Sequence, residues 1–445
     1  MISARIANRL KSKVVKGAAG AFGLRLAYTG LTFFTSVLLA RLLGTSGFGT
    51  YSYAVVWAYL LSVPATLGFG NFIVREIAVY ETQAAWPLMR GILRWATRAV
   101  LLAATVVALT AMAVAWLAEM QTGGSDKQTF IGFCLAMAAM PALSLRNIYR
   151  GAMRGLRYVT KGLLPELLID PLILIALTVG AYFILGTRLN ALWVIVFYGA
   201  GTCITLVIVS RFLRQATPAK VQTAQPEYRG RAWLKAAIPF MLLDSLPIIN
   251  AQTDVLMLGS LEGVDAVGLY VPVSRGAQLI TFILMAFGSS LSPAIASAYA
   301  DGKLASIQGT LTKSVRVVAG VALLFTTALI LCAPLYLSVF GAEFLAGKRA
   351  LYILCIGTFI STAMGLSFVI LNMTGHERFT ASMGWGTTAL NVALNALLIP
   401  RWGVEGAAIA TATTLVTGAV ISLVAVRQKL GIDATVFGFS RSEQP

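Results

Sequence analysis

The sequence has little charge. Asp, Glu, Lys and Arg together make up 12% of its 445 residues, about half the share found in an ordinary soluble domain. A soluble protein of this length needs a charged skin, so the deficit excludes a soluble enzyme and a disordered chain. Histidine occurs once, as His376, so no His-based triad can be built. The four cysteines (Cys134, Cys203, Cys332, Cys355) sit inside apolar runs without metal spacing and read as small core hydrophobes; a disulfide-rich secreted module is excluded. GxxxxGK[ST], HExxH, CxxC and GxSxG are all absent, which removes P-loop ATP hydrolysis and the common hydrolase chemistries. Gly17, Gly20 and Gly23 follow GxxGxxG and open an apolar helix, so helix packing explains them. The chain is not read as an enzyme, and no metal or cofactor is expected.

What is present is apolar sequence. Hydrophobic residues make up 58%, in several runs of 18 or more, the length that spans a bilayer. This is the composition of an all-α polytopic membrane protein; a transmembrane β-barrel would show short alternating segments. Twelve spans are expected, at about 17–42, 47–72, 93–118, 129–150, 162–185, 190–212, 233–260, 265–298, 314–340, 347–373, 381–400 and 403–427. The expected organisation is an amphipathic interfacial helix over 1–16, a six-helix bundle over 17–212, a cytoplasmic linker over 213–232, a second bundle over 233–427 and a cytoplasmic tail over 428–445.

Charge sets the orientation. The basic excess, 35 Lys and Arg against 17 Asp and Glu for a formal charge of +18, falls almost wholly on one side of these spans. That side holds 27 basic residues and the other only Arg41, Lys127, Arg188, Lys348, Arg349 and Arg401. The positive-inside rule then places both termini in the cytoplasm and favours an even number of spans; nucleic-acid binding is not needed to explain the charge. At the N-terminus Ile2, Ile6, Leu10 and Val14 recur every four residues beside Arg5, Arg9 and Lys13. This reads as a helix lying on the inner leaflet and not as a cleavable signal peptide.

The halves resemble each other weakly. "SVLLARLLGTSGFGTYSYAV" from Ser36 aligns with "DVLMLGSLEGVDAVGLYVPV" from Asp254, bringing Gly49-Thr50-Tyr51 onto Gly268-Leu269-Tyr270. Copies with an even number of spans each share one orientation, the parallel repeat of a transporter architecture.

Charges inside the membrane are costly and tend to face a cavity or a partner. Arg25, Thr29, Thr32 and Ser36 form one helix face, which reads either as a cationic patch in a polar cavity or as a snorkelling arginine. Arg275, about 15 Å deep at 1.5 Å per residue, shares a face with Gln278; it reads as a substrate contact or as the ion-pair partner of Asp254. Asp244, Asn250 and Asp254 mark a polar face interrupted by Pro247, suited to a cation, a proton or an ion pair. Glu166 and Asp170, four apart, could share a proton or pair with the nearby basic residues. Thr387, Asn391 and Asn395 read as interhelical hydrogen-bonding groups.

"TFFTSVLLARLLGTSGFGTYSYAVVWAYLLSVPATLGFG" (32–70) and "LNALLIPRWGVEGAAIATATTLV" (394–416) resemble bacterial polysaccharide-biosynthesis flippases, the Wzx-like branch of the multidrug/oligosaccharidyl-lipid/polysaccharide exporter superfamily. The resemblance covers essentially the whole chain and implies a MATE-like fold of two six-helix bundles around a partly cationic central cavity. It also implies transfer of an undecaprenyl-diphosphate-linked oligosaccharide from the inner to the outer leaflet of the bacterial inner membrane, for O-antigen, capsule or exopolysaccharide synthesis. Polysaccharide polymerase machinery is the implied protein partner. Arg25 and Arg275 would then meet the diphosphate or acidic sugars, with Thr29, Thr32, Asn250 and Gln278 beside them. The four acidic residues depart from a purely cationic cavity and leave open the alternative of an H⁺- or Na⁺-coupled exporter of organic cations. A membrane-embedded polymerase or transferase is opposed by outer loops of about ten residues or fewer and by the lack of a catalytic cluster.

Overall fold

The computed structural model describes residues 2–122, 127–302 and 304–437. The described residues form helices and their connections, with no strand. In a bilayer the backbone must satisfy its own hydrogen bonds, which the helix does within one segment. The helices are α1 (Ile2–Ala65), α2 (Phe69–Thr82), α3 (Trp86–Thr122), α4 (Lys127–Gly155), α5 (Val159–Leu164), α6 (Asp170–Leu185), α7 (Ala191–Ala216), α8 (Ala219–Thr223), α9 (Gly230–Leu261), α10 (Val264–Ala300), α11 (Gln308–Leu331), α12 (Ala333–Ser338), α13 (Lys348–Met364), α14 (Leu366–Met373) and α15 (Glu377–Leu430). Large apolar side chains such as Leu102, Val106, Phe183, Ile184 and Leu324 face outward. Such exposure is the inverse of a soluble surface and suits hydrocarbon.

Among the described residues nine helices are long and apolar enough to cross a membrane, or ten counting a bent pair, Val264–Phe282 with Phe287–Ala300. The twelve spans expected do not emerge as twelve separate helices. Expected spans 17–42 and 47–72 share α1, and 381–400 and 403–427 share α15; each of these long helices is broken at one glycine with positive φ, Gly44 (φ 68°) and Gly403 (φ 49°). Glycine takes that backbone region without a Cβ clash. The expected segment 47–72 is also interrupted, because α1 stops at Ala65 and α2 starts at Phe69, after Leu67 and Gly68 with positive φ. Residues 2–16, expected as a separate interfacial helix, have helical backbone continuous with α1; their side chains lie outside the described residues.

The chain divides into two compact units. One runs to Leu43 and resumes over Thr50–Ile248; the other comprises Gly44–Gly49 and everything from Ile249 onward. The expected division at the linker 213–232 is therefore displaced into α9. The cause is packing: Trp233 and Ala237, at the start of α9, are buried in the first unit's core with Phe69, Phe72, Ile73 and Ile77. Trp233 also donates its indole N–H to the Tyr80 hydroxyl at 2.9 Å. The linker joins the same unit. Val221 is buried in that core, and the Glu227 amide donates to the Pro87 carbonyl at 3.0 Å.

The second unit has its own core, including Ile295, Leu311, Ile370, Leu371 and Val426. Ile432 and Ala434, from the expected tail, are buried in it. Gln308 fastens that strip of chain, donating to the Asp433 carbonyl at 2.6 Å and accepting from the Asp433 amide at 3.3 Å.

Candidate functional site

In the first unit the chemistry gathers on one face of α4. Arg146, Arg150 and Arg154 recur at four-residue spacing and so share that face. Arg146, only 2% exposed, pairs with Asp170; Arg150 pairs with Glu166. Thr205 of α7 closes the first pair, its hydroxyl donating to Asp170 Oδ1 at 2.8 Å and lying 3.3 Å from an Arg146 guanidinium nitrogen. Arg154 donates to the Asn71 side-chain carbonyl at 3.0 Å, and the Asn71 amide donates to Asp244. Three arginines on one helix thus meet Asp170, Glu166 and the Asn71–Asp244 pair in order.

The carboxylates are placed by a local irregularity. Between α5 and α6, residues Pro165–Ile169 form a π-helical turn in which the Asp170 amide donates five residues back to the Pro165 carbonyl. Pro165 and Pro171 have no N–H to give the regular ladder. Such turns recur at functional sites; here it holds Glu166 and Asp170 toward α4. The network is not saturated: among the described residues Arg146 Nε and one of its terminal nitrogens are buried without a hydrogen-bond partner, as is Arg150 Nε. Spare buried donors of this kind call for water or for a ligand.

In the second unit Asp254, 6% exposed, is held by neutral donors. It accepts from the Tyr270 hydroxyl at 2.6 Å, from Asn395 Nδ2 at 2.8 Å and from the Thr411 hydroxyl. Arg275 is not its partner. Thr411 also lines a cavity of about 650 Å³ with Asn250, Ser292, Asn372, Asn391 and Ser422. None of the described residues lining this cavity is charged; further serine and threonine hydroxyls and apolar side chains such as Leu284, Met285, Phe368 and Met383 complete its wall. It offers hydroxyl and amide groups against an apolar background. Asn250 accepts from the Thr388 hydroxyl at 2.6 Å.

Of the remaining expected residues, Arg25 lies within charge–charge reach of Arg154 in the first cluster. Arg25 is exposed and Arg275 half-buried; among the described residues neither forms an ion pair. The Thr29 and Thr32 hydroxyls donate to their own helix, to the Arg25 and Tyr28 carbonyls at 3.0 and 2.9 Å, and keep lone pairs for accepting. Gln278 reaches Ser274 Oγ at 3.4 Å. Pairing with nearby basic residues is one of the two readings the sequence leaves open for Glu166 and Asp170, and Arg150 and Arg146 are the residues that fill it. Their four-residue spacing, matching that of Glu166 and Asp170, was the available signal. No group of three or more His, Cys, Asp or Glu side chains suited to a metal occurs among the described residues.

Two helical units, each with its own core and its own buried polar network in membrane-length helices, define a polytopic membrane protein of transporter architecture. The family described as "Polysaccharide biosynthesis protein" matches residues 14–299, and the chain belongs to that family. A second family, MatE, matches residues 248–397. The fold is similar to that of a multidrug resistance MATE family transporter of the MOP superfamily in an inward-facing conformation (TM-score 0.71, 15% identity, 91% of this chain and 94% of that one). It is also similar to the lipid II flippase MurJ (TM-score 0.68, 13% identity, 93% and 87%). A MOP superfamily transporter from Pyrococcus furiosus gives a TM-score of 0.59 at 15% identity, over 95% of each chain. At these identities the likeness establishes the fold. In sequence, the uncharacterized membrane protein YabM of Bacillus subtilis is 25% identical over 198 residues, 40% of this chain. That match spans 37% of the relative's own length.

Proposed function

We propose that the protein flips an undecaprenyl-diphosphate-linked oligosaccharide from the inner to the outer leaflet of the bacterial cytoplasmic membrane for surface polysaccharide synthesis. Both termini stay in the cytoplasm. The observation that carries this reading is the inventory of membrane charge. Asp170 and Glu166 are taken by Arg146 and Arg150, Asp244 by Asn71, and Asp254 by neutral donors. Arg25 and Arg275 have no ion pair among the described residues. Of these six groups, the two with no bonded side-chain partner among the described residues are both positive, which suits an anionic cargo. Arginine offers a planar fork to phosphate oxygens, and the neutral polar cavity of the second unit offers partners for sugar hydroxyls. Membership of the polysaccharide biosynthesis family and a fold shared with a lipid II flippase point the same way.

The test is deletion of the gene in its own host, with lipid-linked sugars and surface polymer assayed together. Cytoplasmic accumulation of the lipid-linked oligosaccharide with loss of surface polymer is expected; normal polymer would overturn the reading.

A second reading, cation-coupled export of small organic cations, is favoured by one observation. Asp254, which lies in the region matched by the MatE family, has no cationic side chain bonded to it among the described residues and is linked through Thr411 to the cavity of the second unit. It requires that Asp254→Asn abolish export of a cationic dye from cells, with surface polymer unchanged.

A further inference from the structure

A second cavity, about 800 Å³, lies in the first unit between α3 and α7, both of which pack on α4. Its wall holds Arg90, Arg94 and Arg98 of α3, Arg214 of α7, Tyr149 of α4 and Gln222 of α8. No acidic residue lines it, and none of these four arginines forms an ion pair among the described residues. Arg90 donates to the Ala224 carbonyl, yet three arginines at four-residue spacing still repel one another along a helix, a repulsion that a bound anion relieves.

The surroundings say which anion. In the turn of α3 after Arg98, Leu101 and Leu102 are exposed; on α7, Val207, two turns before Arg214, is exposed as well. The arginine cavity therefore opens onto outward-facing apolar helix surface. A soluble phosphate uses only the first feature, whereas a lipid uses both. The cavity also lies on the side to which the charge distribution assigns the cytoplasm, where basic hollows between membrane helices take anionic headgroups. Its volume and its four guanidinium groups exceed what one phosphate needs.

We propose that this cavity is a binding site for an anionic bilayer lipid carrying two phosphates, with the headgroup among Arg90, Arg94, Arg98 and Arg214 and the acyl chains along Leu101, Leu102 and Val207. Neither Arg25 nor Arg275 lines this cavity, and it holds a bound lipid whatever the transported cargo is.

The test is native mass spectrometry of the full chain in detergent, titrated with diphosphatidylglycerol, phosphatidylethanolamine and inorganic diphosphate. Diphosphatidylglycerol should bind in preference to phosphatidylethanolamine. R94Q/R98Q should weaken it at least about tenfold, the loss expected for charge-assisted hydrogen bonds to phosphate. R211Q/R231Q removes the same charge from exposed positions outside the cavity and should leave binding unchanged; R214Q provides the same reading from the other helix should the double variant fail to fold. Equal binding of the two lipids would overturn the proposal, as would equal loss in both double variants. Inorganic diphosphate displacing the lipid at equal concentration would overturn it too, since the apolar wall would then contribute nothing.

Discussion

Gly49 and Gly268 pack against each other's backbone. A Cβ at Gly49 would fall 1.8 Å from the Val264 carbonyl oxygen and 3.0 Å from the Gly268 nitrogen; one at Gly268 would fall 2.1 Å from the Thr45 carbonyl oxygen. These are the two glycines that the internal repeat aligns, so equivalent positions of the two copies meet in one contact. The same segment is held by the Thr45 amide donating to Glu343 at 3.0 Å and by Phe48 edge-on to Phe344. This is why Gly44–Gly49 belongs with the second unit.

Alanine at either glycine should therefore act on stability. Gly49→Ala and Gly268→Ala are each expected to cost about 3 kcal/mol or more, at the upper end of overpacking because the obstacle is backbone. Gly180→Ala, in an exposed helix position with open space around it, should be neutral or stabilising by up to about 1 kcal/mol. Thermal unfolding in detergent separates the three; equal melting temperatures would show that the contact is dispensable.

The Arg146–Asp170 pair should show the asymmetry of buried charges. Arg146→Met leaves Asp170 without its cation and is expected to cost about 3–5 kcal/mol. Adding Asp170→Leu to Arg146→Met removes both charges and should restore most of that loss. The double-mutant cycle, read by thermal unfolding, measures the coupling.

Arg25→Gln and Arg275→Gln should each abolish or sharply reduce surface polysaccharide while membrane insertion and melting temperature stay near wild type, because neither guanidinium is engaged in an ion pair among the described residues. Immunoblotting of surface polymer beside membrane-fraction yield checks both parts. Unchanged polymer in both variants would remove them from the cargo path.

Asp254→Asn keeps the shape but turns one acceptor oxygen into a donor facing the Tyr270, Asn395 and Thr411 donors. A loss of about 1–3 kcal/mol is expected from the mismatched polar groups, with surface polymer retained. Complete loss of polymer at normal protein level would instead assign Asp254 a direct part in transport.

Truncation after Leu430 should destabilise the second unit, because it removes the buried Ile432 and Ala434 and the Gln308 anchor at Asp433. Burial of one isoleucine alone is worth about 1.5–3 kcal/mol. Truncation after Phe437 leaves these contacts in place and should melt near wild type.

The amino-acid sequence by itself determined the class of this protein. Charge scarcity and apolar runs of bilayer length force internally hydrogen-bonded helices, and the acidic and basic residues that survive among those runs mark the candidate chemistry. It also sets Gly49 against Gly268 in the expected repeat, the two glycines that meet in the contact above. Only the tertiary structure decided the pairings. Helical period says that Glu166 and Asp170 share a face, but not that the π-helical turn at Pro165 aims them at Arg146 and Arg150. Likewise Asp254 and Arg275 fall at similar depths by residue counting, yet Tyr270, Asn395 and Thr411 take the carboxylate. The boundary inside α9 has the same origin. A linker rich in polar residues reads as a tether until Val221 and Trp233 are seen in a core. Periodicity fixes what one helix presents, and contact between helices, set by packing of residues far apart in the chain, fixes what each face meets.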